Sequence, residues 1–467
     1  MPDPKDVVGA RGNALNTLLF RLHRHLGDRV SKDVQHLANV SGDESGLPKG
    51  QAGGVVWPLS TAEVSFIAKE ASELGVALVP RGAGTGKAGG AIPLGGDLVV
   101  DFSRMNRLKE LKERDLYVVV EPGLVTAHLN EAALEHALFY PPDPASADSC
   151  TLGGNVATNA GGARALKYGC TNRYVWGLTI VCMGGDVITM GKHSPKGVAG
   201  YDVTSLVVGS EGTLGLITEM TLHLLPAPPA VETAWLSFDS VIAASQAAEH
   251  FFAAGYLPRL IELLDAPSLA AVRSKAPFRF PESQAALLLE CDGREEVALG
   301  DLTAMCELAL SHGARDALVA TNEHECAAMR RTRTLVSSCL KENFPYKLSD
   351  DLTVPRSAIP ELLQLAQSYA QQAGIVSAAY GHLGDGNVHL NFLCNDNNER
   401  LRAQSLRYAL AKDVVTRFGT ITGEHGIGLA KRDLLSIEQQ EELIVLQQHL
   451  KRVFDPQNLL NPHKALP

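Results

Sequence analysis

Apolar and polar positions alternate along this chain in segments short enough to be read one element at a time. Leu15, Leu18, Leu19, Leu22 and Leu26 recur at helical spacing and predict an amphipathic lead-in helix. Val55-Val56-Trp57 predicts a strand, Ser60 to Glu63 has the spacing of a capping box that opens a helix, and Val76 to Val79 predicts the next strand, so this stretch is a β-α-β unit. Leu98 to Phe102 and Leu116 to Val120 read as further strands, and Val125 to Leu138 as an amphipathic helix. Val175 to Met190 predicts a hairpin around Gly184-Gly185. Leu216, Met220, Leu222 and Leu224 alternate with Glu219, Thr221 and His223 in a strand that Pro226, Pro228 and Pro229 end, and a domain boundary is placed there.

From Ala234 to Thr321 the order is strand, helix, strand, strand, helix, strand, the split β-α-β order of a ferredoxin-like sheet with helices on one face. The apolar pattern reads as core, so Glu262, Glu290 and Asp292 are assigned no catalysis. Met329 to Pro355 is rich in cations, with Arg330, Arg331, Arg333, Lys341 and Lys347; these are either partners for a substrate carboxylate or a solvated basic helix face. A long helix to about Phe418 and a closing helix from about Ile437 to Phe454 complete the pattern.

Between them lies YGHLGDGNVHLN, Tyr380 to Asn391. Asp385-Gly386 is a two-residue hairpin signal of the type I′ kind, and pairing outward from it sets His382 directly opposite His389. Opposed residues have Cβ atoms roughly 4.5–5.5 Å apart, close enough for two imidazoles to converge on one divalent metal. Tyr380 and Asn391 share that face. ITGEHGIG, Ile421 to Gly428, offers Glu424 as a third ligand with His425 beside it, and two histidines plus a carboxylate leave metal positions open for substrate. The bland alternative is a solvated hairpin and a Gly-rich loop.

Pro80 to Gly96 is the densest glycine segment. A Walker loop fails because Ala88 follows Lys87. The dinucleotide pattern occurs at Gly84, Gly86 and Gly89, but it leads to a strand where that fingerprint needs a helix, so a Rossmann NAD site is disfavoured and a phosphate cradle of another type is expected. Pro141 to Gly162 is a second long stretch of small residues, and two such stretches flanked by strands suggest one elongated cofactor lying against backbone.

Composition narrows the class. A chain of 467 residues with 45% hydrophobic content supports two or three domains. Its 42 Lys plus Arg against 52 Asp plus Glu give a charge of −10 with no basic run, which argues against nucleic acid. Eight cysteines are scattered without a CxxC pair and read as reduced thiols, so an iron–sulfur relay, if used, is on another chain. No apolar h-region opens the chain and no apolar run approaches the ~20 residues of a membrane span, so a cytoplasmic protein is expected, with peripheral membrane contact and a homodimeric state both compatible.

PRGAGTGKAGG, ASADSCTLGGNVATNAGG, GSEGTLGLIT, GHLGDGNVHLN, TGEHGIG and FDPQNLLNP stand in the order of the motifs of a known family, and from Val55 to Pro467 the chain resembles the FAD-linked D-2-hydroxy-acid dehydrogenases with the vanillyl-alcohol-oxidase-type flavin fold. Members include D-lactate dehydrogenases, the flavin subunit of glycolate oxidase and D-2-hydroxyglutarate dehydrogenase. The resemblance implies an α+β fold with a two-subdomain FAD-binding domain over 1–226, a ferredoxin-like substrate (cap) domain carrying the hairpin over 227–412, and a helical C-terminal segment over 413–467. It implies non-covalent FAD against Arg81, Gly82, Ala83, Gly84, Thr85, Gly86, Ser146, Thr151, Gly154, Asn155, Thr158, Gly161, Glu211, Gly212, Ile217 and Asn461. It also implies one divalent metal, zinc, manganese or iron, on His382, His389 and Glu424, with His425 as general base and Arg330, Lys347 and Asn391 for substrate. The expected reaction takes a D-2-hydroxy acid, D-lactate or a related small acid, to the 2-oxo acid by hydride transfer to flavin, with electrons leaving to a quinone, cytochrome or electron-transfer flavoprotein. D-2-hydroxyglutarate dehydrogenase, a glycolate oxidase flavin subunit and a metal-dependent hydrolase are the alternatives. In the 2-hydroxyglutarate enzymes a lysine stands two before the aspartate of Asp-x-x-x-Pro, whereas Ser349 holds that place here, which favours small or apolar tails.

Overall fold

The computed structural model describes residues 4–467, with side chains from residue 12 onward; the reading of residues 1–3 as part of the first domain lies outside them. Four strands form the first sheet: β1 (Val30–Ser31), β2 (Ala52–Val56), β3 (Leu78–Arg81) and β4 (Asp97–Asp101), in the order β1-β2-β4-β3. The pairs β2/β4 and β3/β4 are parallel, as the β-α-β reading requires. The crossover helix Thr61–Leu74 starts at Ser60, whose hydroxyl accepts from the Glu63 N–H, and stops at Gly75 with φ +66°. The capping box is only half formed: the Glu63 carboxylate accepts from Leu59 N–H at 2.7 Å instead of from Ser60. Leu18, Leu19, Leu22 and Leu26 of the lead-in helix bury against Val56, Ile67 and Leu98.

The second sheet is antiparallel, built from β5 (Leu108–Lys112), β6 (Tyr117–Val120), β8 (Val175–Val181), β9 (Val187–Gly191) and β10 (Leu216–His223) in the order β5-β6-β10-β8-β9; the short β7 (Leu138–Phe139) and β11 (Leu225–Pro226) pair with each other. The long small-residue stretches run outside these strands.

The third sheet has seven strands: β12 (Ala230–Phe238), β13 (Leu260–Asp265), β14 (Ala285–Gly293), β15 (Ala314–Val319), β16 (Tyr346–Thr353), β17 (Val376–His382) and β18 (Asn387–Cys394). Its order is β15-β12-β14-β13-β17-β18-β16. The first four reproduce the ferredoxin-like arrangement, and the hairpin strands extend it through β13/β17. Helices cover both faces, not one as expected. Val241–Ala253, Glu295–Ser311, Ile359–Ala373 and Asn397–Thr416 pack on Leu236, Leu263, Leu287 and Phe392, while Ala266–Val272 and Glu323–Asn343 pack on Trp235, Leu264 and Leu288. The helix Asn397–Thr416 runs unbroken through the 412/413 division expected from sequence. All eight cysteines are free thiols, and among the described residues no helix is long and apolar enough to cross a membrane.

Candidate active site

The hairpin is tied differently from its sequence reading. Tyr380, not His382, stands opposite His389, and His382 stands opposite Asn387. The expected two-residue turn fails because Gly386 has φ +90° while Asp385 stays out of the left-handed region, so the type I′ geometry does not form. Four residues, 383–386, make the connection; the N–H groups of Asp385 and Gly386 both reach the His382 carbonyl, and Asp385 Oδ1 accepts from Asn387 N–H at 3.2 Å. A shift of two residues keeps every side chain on its face. His382 and His389 therefore remain neighbours, as a diagonal pair with ring centroids 5.3 Å apart.

Strand pairing brings two carboxylates beside them that the sequence reading passed over. Glu262 lies opposite His382 across β13/β17 and its carboxylate takes the His382 Nδ1 hydrogen bond; the other oxygen pairs with Arg333 at 2.6 Å. This leaves His382 Nε2 facing Glu424, 3.8 Å away. Burial pushes the Glu262 carboxyl up, but the Arg333 and His382 charges outweigh it and hold it at about 2. Asp351 lies opposite His389 across β16/β18 and is fully buried. Its Oδ2 accepts from the backbone N–H groups of Gly423, Glu424 and His425 at 3.0, 2.8 and 2.9 Å. Three successive N–H groups closing on one oxygen form an anion nest, which is how the Thr422–His425 loop is fixed over the hairpin. Burial opposes the Asp351 charge, yet His425, Lys431 and these N–H groups hold its carboxyl well below the usual range.

The ligand atoms of His382, His389 and Glu424 consequently lie within 4.8 Å of one another, with His389 Nε2 3.6 Å from Glu424 Oε1. That is too long for a hydrogen bond and close to the roughly 3–4 Å that separates two ligands each about 2 Å from one metal. Burial pushes the His389 imidazole down to about 3, so it is neutral, the ligating form. Burial opposes the His382 charge, but Glu262 on Nδ1 and Glu424 facing Nε2 raise its imidazole well above the usual value. A metal at Nε2 would replace a proton there, with Glu262 orienting the ring from the second nitrogen as is usual for a metal-binding imidazole. The donor set fits a divalent metal. His425 stacks parallel to His389 at 5.4 Å, with Nδ1 3.7 Å from Asp351 Oδ2.

The two small-residue stretches meet next to this cluster. A Cβ on Gly82 would lie 2.3 Å from Thr151 Oγ1, itself buried without a hydrogen-bond partner, and a Cβ on Gly161 would lie 3.0 Å from Glu424 Oε2. An orphaned hydroxyl beside backbone with no room for side chains suits a polar cofactor lying against main chain. A cavity of 480 Å³ opens beside Arg81 and Gly84. Ala83, Gly86 and the half-buried Gly84, Thr85 and Ser146 lie on open loop, and Thr158 donates to Gly154 O at 3.1 Å.

Other expected cofactor residues have their side chains engaged within the protein. Arg81 donates to Gly42 O at 2.7 Å, Asn155 to Thr126, and Ile217 is core. Glu211 accepts from Ile427 and Gly428 N–H groups at 2.8 Å each, Gly212 packs on Pro80, and Asn461 donates to Gly90 O and Glu211 O. Glu211 and Asn461 thus lash the C-terminal loop to the Gly-rich segment. Among the substrate candidates, Arg330 Nη1 pairs with Glu290 at 3.0 Å. Asn391 is saturated by Ser349, Ala378 and His389. Lys347 stands four residues from Asp351 on one strand, about 13 Å, and donates to Ser337 Oγ at 2.7 Å, so the structure does not bring it to the triad.

Two family matches cover most of the chain: the FAD binding domain over residues 52–191, and the FAD linked oxidases, C-terminal domain over residues 227–465. The glycolate oxidase subunit GlcD of Bacillus subtilis is 37% identical over 93% of this chain and 97% of its own length. The D-lactate dehydrogenase of Anaerostipes hadrus is 32% identical over 94% of each. In fold, p-cresol methylhydroxylase superposes with a TM-score of 0.78 over 97% of both chains at 15% identity, which places the architecture among flavin folds of the vanillyl-alcohol-oxidase type. The chain therefore belongs to the FAD-linked oxidases and is an FAD-dependent oxidoreductase.

Proposed function

We propose that the protein oxidises a D-2-hydroxy acid, D-lactate or a related small acid, to the 2-oxo acid, using non-covalent FAD and a divalent metal held by His382, His389 and Glu424. The observation that carries this reading is the convergence of those three side chains, with His425 beside them, against Gly161 of the cofactor segment. When bound, FAD supplies a hydride acceptor, and a metal at the triad supplies a Lewis acid that lowers the pKa of the substrate hydroxyl.

The chain's own groups divide the remaining work. His425 Nε2 takes the hydroxyl proton; Asp351, facing Nδ1, favours the tautomer in which Nδ1 carries hydrogen and Nε2 is the open base. Glu262 holds the His382 ring, and Arg333 keeps Glu262 ionised. Asp351 accepts from Glu424 N–H and Glu211 from Ile427 N–H, so the loop that carries the base and the third ligand is held at both ends. Arg330 binds substrate at the carboxylate end. A bound FAD would hand its electrons to an acceptor outside the chain, a quinone, cytochrome or electron-transfer flavoprotein.

Anaerobic turnover with an artificial dye acceptor tests the reading. D-lactate, glycolate and D-2-hydroxyglutarate are offered separately and the 2-oxo product is quantified. One acid yielding product in step with dye reduction supports it, and turnover that needs no acceptor would point to hydrolysis instead.

A further inference from the structure

Beside the triad, Glu290 and Asp292 sit among cations drawn from three separate segments. Arg259, just before β13, places Nε 3.5 Å from Glu290 and Nη1 3.6 Å from Asp292. Arg330 pairs with the other Glu290 oxygen at 3.0 Å, and Asp292 is taken by Lys167 and by the Tyr168 hydroxyl. Arg164 completes the group. Its Nε lies 3.1 Å from Asp143 Oδ2, and its two terminal nitrogens have no hydrogen-bond partner among the described residues. The cations Arg164, Lys167, Arg259 and Arg330 face the carboxylates Asp143, Glu290 and Asp292, so one positive charge is left over. Burial holds the Arg164 guanidinium below its usual range; Asp143 and Glu290 oppose this, and Arg259 and Arg330 add to it.

Arg164 is carried on a segment pinned to the triad at both ends. Three residues before it, Gly161 lies so close to the triad that a Cβ there would sit 3.0 Å from Glu424 Oε2. Two residues after it, Leu166 packs so closely on Gly384 that a Cβ there would lie 2.4 Å from Leu166 Cδ2. Gly384 belongs to the loop that follows His382. A guanidinium at this place, paired at Nε and open at both Nη, presents the planar fork that grips a carboxylate with two parallel hydrogen bonds. A half-buried surplus cation is unfavourable until an anion joins it.

We propose that Arg164, acting with Arg330 from the Glu323–Asn343 helix, binds the carboxylate that every 2-hydroxy acid carries. This rests on the 2-hydroxy-acid reading above. The site is assembled from both sides of the molecule: the cofactor-side segment supplies Arg164 and the seven-stranded sheet's helix supplies Arg330, so it exists only when the two are docked.

The experiment compares Arg164→Met, Arg164→Lys and Asp143→Asn in the FAD-loaded protein. Dissociation constants for oxalate and for the 2-oxo product are read from the perturbed flavin spectrum, alongside KM and kcat for D-lactate, glycolate and D-2-hydroxyglutarate. Arg164→Met is expected to weaken oxalate and raise every KM roughly 10- to 100-fold, with a smaller change in kcat and with flavin content and melting temperature near those of Asp143→Asn. Arg164→Lys should recover part of the loss, and Asp143→Asn should leave anion binding intact. Unchanged oxalate binding in Arg164→Met overturns the proposal, as does an equal loss in Asp143→Asn, which would make Arg164 a partner for Asp143 alone. A loss confined to D-2-hydroxyglutarate also overturns it, moving Arg164 to a second carboxylate. If no 2-hydroxy acid bleaches the wild-type flavin, the functional reading fails first, independently of any variant.

Discussion

The two faces of the seven-stranded sheet come from the same strands and do opposite things. One buries Leu236, Leu263, Leu287, Leu289, Leu390 and Phe392 under four helices. The other interleaves Trp235, Leu264 and Leu288 with Thr233, Glu262, Glu290, Asp351, His382 and His389. Because side chains alternate at period two, one residue's step along a strand moves from hydrocarbon to a cluster of ionisable groups. Burial on the charged face is tolerated only because each carboxylate has partners: Arg333 and His382 for Glu262, Arg330 and Arg259 for Glu290, four N–H groups for Asp351. The apolar face supplies stability, and the charged face spends much of its own on placing groups.

Substitutions on opposite faces of strand β18 should separate the two roles most sharply. Phe392→Ala on the apolar face should lower stability by about 3–5 kcal/mol while leaving kcat per folded molecule unchanged, measured by denaturant unfolding and by active-site titration. His389→Ala should do the reverse, cutting kcat/KM about 10²- to 10³-fold and abolishing bound metal in elemental analysis, with the melting temperature nearly kept. If both variants lose stability and activity together, the faces are not functionally distinct.

A smaller effect sharpens the same contrast. Glu262→Gln retains volume and hydrogen bonding to His382 but removes the charge, so metal affinity should fall about 10- to 100-fold in a competition with a chromophoric chelator. The smallest expected effect lies off the sheet and sets a baseline for charge pairs that only stabilise. Arg29 donates to the Glu63 carboxylate at 2.7 Å and holds its carboxyl below the ordinary value. A depressed carboxyl stabilises the fold above its unfolded pKa of about 4.3 and loses that contribution as pH falls through the folded value. Glu63→Gln should therefore cost about 0.2–1 kcal/mol at pH 7, and in melts the difference from wild type should shrink as pH falls below about 4.3 and vanish only once pH is below the depressed folded value.

Much of this was legible from residue order, and the misses have physical causes. Alternation revealed the ferredoxin-like strands, because each needs one apolar face; it could not show that β17, β18 and β16 join the same sheet, since a strand's pattern does not name its neighbour. The histidine pair survived a register error because the turn was misjudged by an even number of residues. Glu262 was passed over inside the apolar run Leu260–Leu264, where the lone carboxylate was itself the signal: an acid in a buried strand must have a partner. Asp351 was seen only as a landmark for a missing lysine, because the N–H groups it collects lie some 70 residues away in a glycine loop with no mark of their destination. Glu211 and Asn461 are expected from sequence to line the cofactor, and in the structure their bonds run to protein.

The measurement that bears most directly on the central claim is the anaerobic visible spectrum of the FAD-loaded protein, taken on adding D-lactate, then repeated after chelation and after restoring zinc or manganese. The account predicts a flavin band that bleaches, fails to bleach in the chelated sample, and recovers with metal. A band that bleaches equally well after chelation, with no metal left by elemental analysis, would contradict the role given to His382, His389 and Glu424.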